Sequence, residues 1–232
     1  GDYINQFDTT DFACKIAGTV KNFDPTTVVD RKEARRFSTF IIYAIEAAKQ
    51  AIQDSELDIE KEADEIGVEI GSGIGGLKVL EDNTIKLHEN GPNKVSPFTV
   101  PMMIVDMASG IVSMKVGAKG PNSSAVSACA SSTHSIGNAY RMIQNESAVA
   151  MICGGSESAI SPLGIASFCA AKSLSLSNDE PKLASRPFDL NRNGFVMGEG
   201  SGILVLEEYE HAKKRNAKIY GEVVGYGSSG DA

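Results

Sequence analysis

Ser124-Ala125-Val126-Ser127-Ala128-Cys129-Ala130-Ser131-Ser132 is the stretch on which the reading of this chain turns. A short strand-like run (123–127) enters it. A helical pattern (132–143) leaves it, with Ile136, Ala139, Tyr140 and Ile143 on one face. Small residues on both sides of Cys129 let the backbone turn sharply and let a substrate approach the sulfur. At a helix N-terminus, unpaired N–H groups and the positive end of the dipole favour a thiolate. The same N–H groups can hold the oxyanion formed when that sulfur attacks a carbonyl. The pattern reads as a nucleophile elbow with cysteine in the place of serine. The competing reading is a small buried hydrophobe, the usual state of a free cysteine.

Outward from the elbow, strand and helix patterns alternate. Apolar runs at 66–70, 149–153 and 202–206 read as strands, the second stopping at Gly154-Gly155, and 219–226 reads as a last strand. Segments 34–54, 77–87, 102–116, 161–171 and 207–215 read as helices. Residues 88–101 carry Gly91, Pro92, Pro97 and Pro101 and read as a loop. Residues 174–200 form a long polar loop, whose length marks it as a functional segment. The alternation predicts an α/β layered domain.

Composition bounds the function. The chain has 232 residues, enough for one large domain or two small ones, and a net charge of −8 that argues against general nucleic-acid binding. No apolar run reaches the length of a membrane span. The start, Gly1-Asp2-Tyr3-Ile4-Asn5-Gln6, is not a signal peptide. It also lacks an initiator Met, so the chain is expected to begin inside a longer protein or after tag removal. Cys14, Cys129, Cys153 and Cys169 are widely spaced and form no CxxC pair, which points to a reducing cytoplasm. His88, His134 and His211 are scattered, so no metal and no cofactor are expected.

Gly71, Gly73 and Gly76 satisfy G-x-G-x-x-G after a strand, as in a dinucleotide site. That fold would next show an apolar strand ending in an acidic residue. The chain instead gives the loop His88-Glu89-Asn90-Gly91-Pro92-Asn93-Lys94. A glycine-rich turn lining a pocket, with Ile74 pointing into it, is the better reading. His134 lies five residues after Cys129, a rotation of about 140° beyond one helical turn, so a structural role is expected rather than that of a base. His88 and His211 read as solvated. Arg31-Lys32-Glu33-Ala34-Arg35-Arg36 reads either as a solvated helix start or as a docking patch for an acidic partner. Lys213-Lys214-Arg215 fits a helix C-terminus.

Ala128-Cys129-Ala130-Ser131-Ser132 resembles the cysteine elbow of β-ketoacyl-acyl carrier protein synthases. The likeness continues through Gly71-Ser72-Gly73-Ile74-Gly75-Gly76, Ser161-Pro162-Leu163-Gly164 and Ser185-Arg186-Pro187-Phe188-Asp189. It extends through Gly194-Phe195-Val196-Met197-Gly198-Glu199-Gly200 and Leu206-Glu207-Glu208-Tyr209-Glu210-His211-Ala212, and is greatest to the elongating synthase II branch of fatty acid synthesis. The resemblance implies a thiolase-like α-β-α-β-α fold, of which residues 1–232 form the N-terminal half. It implies a homodimer, with residues 97–107 near its interface, and a decarboxylating Claisen condensation. Cys129 would carry the acyl group, and its N–H would supply part of the oxyanion hole. Ile74, Gly164 and Phe168 match positions at the acyl pocket. Lys32, Arg35 and Arg36, with Lys172 as a further candidate, match the region facing acyl- or malonyl-loaded carrier protein.

The family's two catalytic histidines stand in HGTGT- and GHN-type motifs, and neither occurs in this sequence. The segment alone is therefore expected not to complete a condensation, and to expose core surface where another half should pack. A non-catalytic scaffold and a thiolase or polyketide ketosynthase remain as other readings. Cys129 counts against the first, and the 194–200 motif counts against a thiolase.

Overall fold

The computed structural model describes residues 1–230. Strands β1 (Asp2–Tyr3) and β2 (Ile16–Ala17) pair antiparallel and precede α1 (Thr39–Ser55). Next come β3 (Ile66–Gly71), α2 (Leu77–Asn90), α3 (Thr99–Met103), α4 (Met107–Val116) and β4 (Asn122–Ser123). The chain continues through α5 (Ser131–Gln144), β5 (Ala150–Ser158), α6 (Pro162–Ala170), α7 (Pro181–Ala184), β6 (Glu199–Glu207) and α8 (Tyr209–Lys214). The main sheet has the order β4-β3-β5-β6, with β3 parallel to both β4 and β5, and β6 antiparallel to β5.

Period-2 alternation builds the layers. Ile66, Val68 and Ile70 of β3 share one buried cluster with Ala150 and Ile152 of β5. Phe40, Ile41, Ala44, Ile45 and Ala48 of α1 and Ala108, Ile111 and Val112 of α4 complete it. The other face brings Met151 and Cys153 against Ala139 of α5. The described residues thus stack helix, sheet and helix. Each fully buried aliphatic side chain is worth roughly 1.5–3 kcal/mol, against a strand-propensity range of about 1 kcal/mol. Burial therefore sets the register Ile66↔Ala150, because a one-residue slip would turn every apolar side chain to the wrong face. A separate cluster around α6 gathers Ile4, Cys14, Ile16, Ile165, Leu174 and Met197.

Several elements depart from the expected bounds. The helix expected over 34–54 starts only at Thr39, since residues 31–36 form turns. The helix expected over 102–116 breaks at Ile104, which takes extended backbone (ψ 129°). The break leaves the Met103 carbonyl free to accept the Gly76 N–H at 3.2 Å. Strand β5 does not stop at its glycines, because Gly154 and Gly155 pair with Ile203 and Gly202 of β6. The strand expected over 219–226 does not form. That segment carries no regular structure, and at its end the Tyr226 ring packs over Gly137 of α5 and sits edge-on to His134, 6.4 Å between centroids.

Candidate active site

Strand β4 pairs with β3 only at Asn122 and Ser123, and residues 124–127 then run unpaired to the elbow. Ser124 Oγ keeps this run beside β3 by donating to the Ile70 carbonyl at 2.6 Å. Ala128 takes the left-handed conformation (φ 51°), and a single 3-10 turn, Ala128–Ala130, leads into α5. For a non-glycine residue that conformation costs about 1–2 kcal/mol. Ser131 offsets it. Its hydroxyl, at a buried residue, donates to the Ala128 carbonyl at 2.7 Å and accepts the Ser127 N–H at 2.9 Å. The turn delivers Cys129 to the surface as a free, exposed cysteine, unlike the buried Cys14 and Cys153. Among the hydrogen bonds of the described residues, none uses the Cys129 N–H. The site therefore offers a reachable sulfur, an uncommitted N–H beside it and the N-terminal end of α5 behind both.

His134 is engaged elsewhere. Its Nδ1 stands 2.6 Å from Ser127 Oγ, which fits the structural role read from its spacing. His211 corrects the sequence reading. It is not solvated, since Nδ1 lies 2.6 Å from Glu207 and Nε2 3.0 Å from Glu62. Arg215, read as a dipole partner, also bonds Glu207 at 2.7 Å.

The glycine-rich turn after β3 is not a phosphate cradle. Glu157, at the end of β5, accepts the Gly73 N–H at 2.8 Å, the Ile74 N–H at 3.0 Å and the Ser72 hydroxyl at 3.0 Å. A carboxylate of this protein thus fills the concavity that would take an anion. Reading G-x-G-x-x-G alone gave no sign of Glu157, which is 84 residues away in sequence.

A second carboxylate lies inside. Glu69 of β3 is fully buried, accepts Asn138 Nδ2 of α5 at 3.0 Å and bonds the Ser123 hydroxyl of β4. It links the strand that enters the elbow to the helix that leaves it. Burial, and secondarily the Glu69 charge, push the neighbouring Cys153 thiol up to about 12.

The expected pocket residues fall into two groups. Ile74, expected to point into a pocket, is exposed in the turn before α2. Gly164 and Phe168 stand one turn apart on α6, where the Phe168 ring meets Phe195 edge-on at 5.4 Å. A Cβ on Gly164 would come within 2.2 Å of the Ala159 carbonyl and 3.4 Å of Leu77 Cδ2. The glycine lets the start of α6 close on the Ala159 carbonyl, with Leu77 of α2 at ordinary contact distance. Arg31, Lys32, Arg35 and Arg36 line one surface hollow of about 400 Å³ with Phe98, and the Arg36 guanidinium lies 4.7 Å over the Phe98 ring. Phe98 was not singled out from sequence. Lys172 is exposed just past α6 and is not among the residues lining that hollow.

Residues 4–212 match the family described as β-ketoacyl synthase, N-terminal domain. The chain belongs to the β-ketoacyl synthase family. A relative, 3-oxoacyl-[acyl-carrier-protein] synthase 2 of Synechocystis sp., is 57% identical over 230 residues, covering 99% of this chain and 55% of the relative. The chain thus spans about half the length of that curated relative. The crystal structure of a β-ketoacyl synthase from Burkholderia phymatum superposes with a TM-score of 0.80 at 32% identity, over 89% of this chain and 51% of that one. A type II PKS acyl-carrier protein in complex with its ketosynthase superposes at 0.73 and 26% identity, over 86% of this chain and 55% of that one. Among the described residues, no helix is long and apolar enough to cross a membrane.

Proposed function

We propose that this chain is the cysteine-bearing part of a 3-oxoacyl-[acyl-carrier-protein] synthase of fatty acid elongation, with Cys129 as its acyl acceptor. The exposed Cys129 at the left-handed turn into α5 carries this reading. The Cys129 thiol loses its proton and its sulfur attacks the acyl thioester of the carrier protein. The Cys129 N–H donates to the developing oxyanion. The acyl–sulfur bond to the carrier breaks, a new one forms to Cys129, and the carrier thiolate takes up a proton. Malonyl-carrier protein would then lose carbon dioxide, and its carbanion would attack the Cys129 thioester, forming a carbon–carbon bond to the acyl carbon as the acyl–sulfur bond breaks and Cys129 leaves as the thiolate, which takes up a proton. This chain's own histidines do not serve that second step. His134 is held by Ser127, His211 by Glu207 and Glu62, and His88 is exposed on α2.

Two further readings belong to this proposal. The hollow of Arg31, Lys32, Arg35 and Arg36 suits an acidic carrier-protein helix, with opposite charge steering the encounter. The whole enzyme is proposed to work as a cytoplasmic homodimer. The 57% identity to a 3-oxoacyl-[acyl-carrier-protein] synthase 2, against 26% to a type II PKS ketosynthase, supports the fatty-acid reading over polyketide synthesis.

Intact mass after incubation with an acyl-carrier thioester tests the reading. One acyl adduct is expected, mapping to Cys129 and absent from Cys129→Ala. No adduct on the wild-type chain, or an adduct retained in that variant, would overturn it.

A further inference from the structure

Glu157 has no place in the chemistry derived so far, yet one carboxylate takes up three donors of a single turn. Its Oε2 accepts the Gly73 and Ile74 N–H groups, and its Oε1 accepts the Ser72 hydroxyl. Ser72 Oγ in turn accepts the Gly75 N–H at 3.1 Å, so the turn is tied from both sides. The far side of the turn rests on the elbow. A Cβ on Gly73 would stand 3.0 Å from the Ala128 carbonyl oxygen and 3.2 Å from Glu157 Oε2. The turn is therefore clamped between the end of β5 and the residue that precedes Cys129. Ile74 follows Gly73 as Cys129 follows Ala128, so the clamp also fixes the backbone that carries the exposed Ile74 beside the elbow.

We infer that Glu157 is a positioning residue that holds the Ser72-Gly73-Ile74 turn against the elbow and so governs the access of long chains to Cys129. The inference rests on the proposed role of Cys129 as the acyl acceptor. Charge-assisted bonds to backbone N–H groups are the strong ones, which suits a carboxylate for fixing a glycine-rich turn. Without it, the Gly73 and Ile74 N–H groups lose their partner and the turn can drift away from Ala128.

The test uses chain 1–232 as wild type, Glu157→Ala and Glu157→Gln, all at a temperature where each is folded. Cys129 is alkylated with iodoacetamide and with its N-octyl derivative, and the ratio of the two rates is read by peptide mass. Glu157→Ala is expected to change that ratio by about fivefold or more, because a loose turn alters access for the long chain only. Glu157→Gln is expected to stay within about twofold of wild type, since its oxygen can accept both N–H groups while its amide donates to Ser72 Oγ. A loss of stability alone would lower both rates together. A wild-type ratio in Glu157→Ala, or equal disturbance by Ala and Gln, would overturn the inference. Should Glu157→Ala not fold, Glu157→Asp withdraws the carboxylate by one methylene. It is then expected to shift the ratio by about twofold or more, and an unchanged ratio overturns the inference equally. A separate arm reads acylation of the wild-type chain by an acyl-carrier thioester. Failure in that arm defeats the proposed function, whereas failure of the ratio test with acylation intact defeats only the role of Glu157.

Discussion

Ser127 Oγ and His134 Nδ1 stand 2.6 Å apart, a bond that spans the elbow from its entry to the first turn of α5. The imidazole thus fastens the approach to Cys129 instead of facing its sulfur. His134→Ala is expected to lower unfolding free energy by about 1 kcal/mol, the worth of one hydrogen bond, and to leave Cys129 alkylation within about threefold. Urea unfolding and iodoacetamide kinetics check both. A tenfold slower alkylation at unchanged stability, on the order of 1.4 kcal/mol in the barrier, would make His134 a base instead.

The four cysteines should separate by reactivity. Cys129 is exposed, whereas Cys14 and Cys153 are buried and burial raises both thiols above their ordinary value, Cys153 to about 12. Brief iodoacetamide treatment of the folded chain is expected to label Cys129 first, with Cys14 and Cys153 labelled only after unfolding. Peptide mapping reads the order, and early labelling of Cys153 would contradict this packing.

Gly164 is expected to resist substitution for a packing reason. A methyl group there meets the Ala159 carbonyl at 2.2 Å, so Gly164→Ala should destabilise the chain by about 2–3 kcal/mol. Chemical denaturation measures it. A neutral variant would show that the start of α6 can move, and would return Gly164 to the role of pocket lining alone.

The basic hollow is expected to act on association. Lys32→Glu with Arg35→Glu should slow acylation of Cys129 from acyl-carrier protein by about tenfold at low salt, with the gap closing as salt rises. Acylation from a small thioester should be unchanged, because neither residue is placed at the elbow. Equal loss with both donors would mean that the fold, not docking, was damaged.

The cluster at α8 makes stability depend on pH. Burial disfavours the charged His211 ring, but the bonds to Glu207 and Glu62 outweigh it and raise the group above its ordinary 6.5. Its contribution is whole below 6.5 and is lost as pH rises through the higher folded value. Burial likewise acts to raise Glu207, but Arg215 and His211 hold it below 4.5, so its contribution is present above 4.5 and is lost as pH falls through the lower folded value. Glu208 also faces this cluster, accepting the His211 N–H at 2.6 Å. Urea midpoints are expected to fall between pH 6 and pH 9 by a part that His211→Gln removes. An identical fall in that variant would show that the ion pairs contribute nothing there.

Much of this was legible along the chain. The apolar runs 66–70 and 149–153 were readable as buried strands, but the faces of 149–153 were not, because all five residues are apolar and only the packed helices tell Ala150 and Ile152 from Met151 and Cys153. The elbow was readable because Cys129 sits among small residues between a strand-like and a helical pattern. The extent of β5 was not, since Gly154 and Gly155 look like stops until β6 pairs with them. The segment 219–226 has a strand's composition, but a strand exists only where an edge receives it, and Tyr226 turns to His134 instead.

Local sequence alone determined the layered α/β class, the position of the candidate cysteine and the family, because these follow from periodicity and from a few compact runs of residues. The tertiary structure decided which partners complete the site. Glu157 comes to the glycine turn, Glu69 joins Ser123 to Asn138, and Phe98 meets Arg36. Each pairing joins residues far apart in sequence, and a carboxylate's role depends on which donors folding brings within hydrogen-bond reach, which no local pattern records.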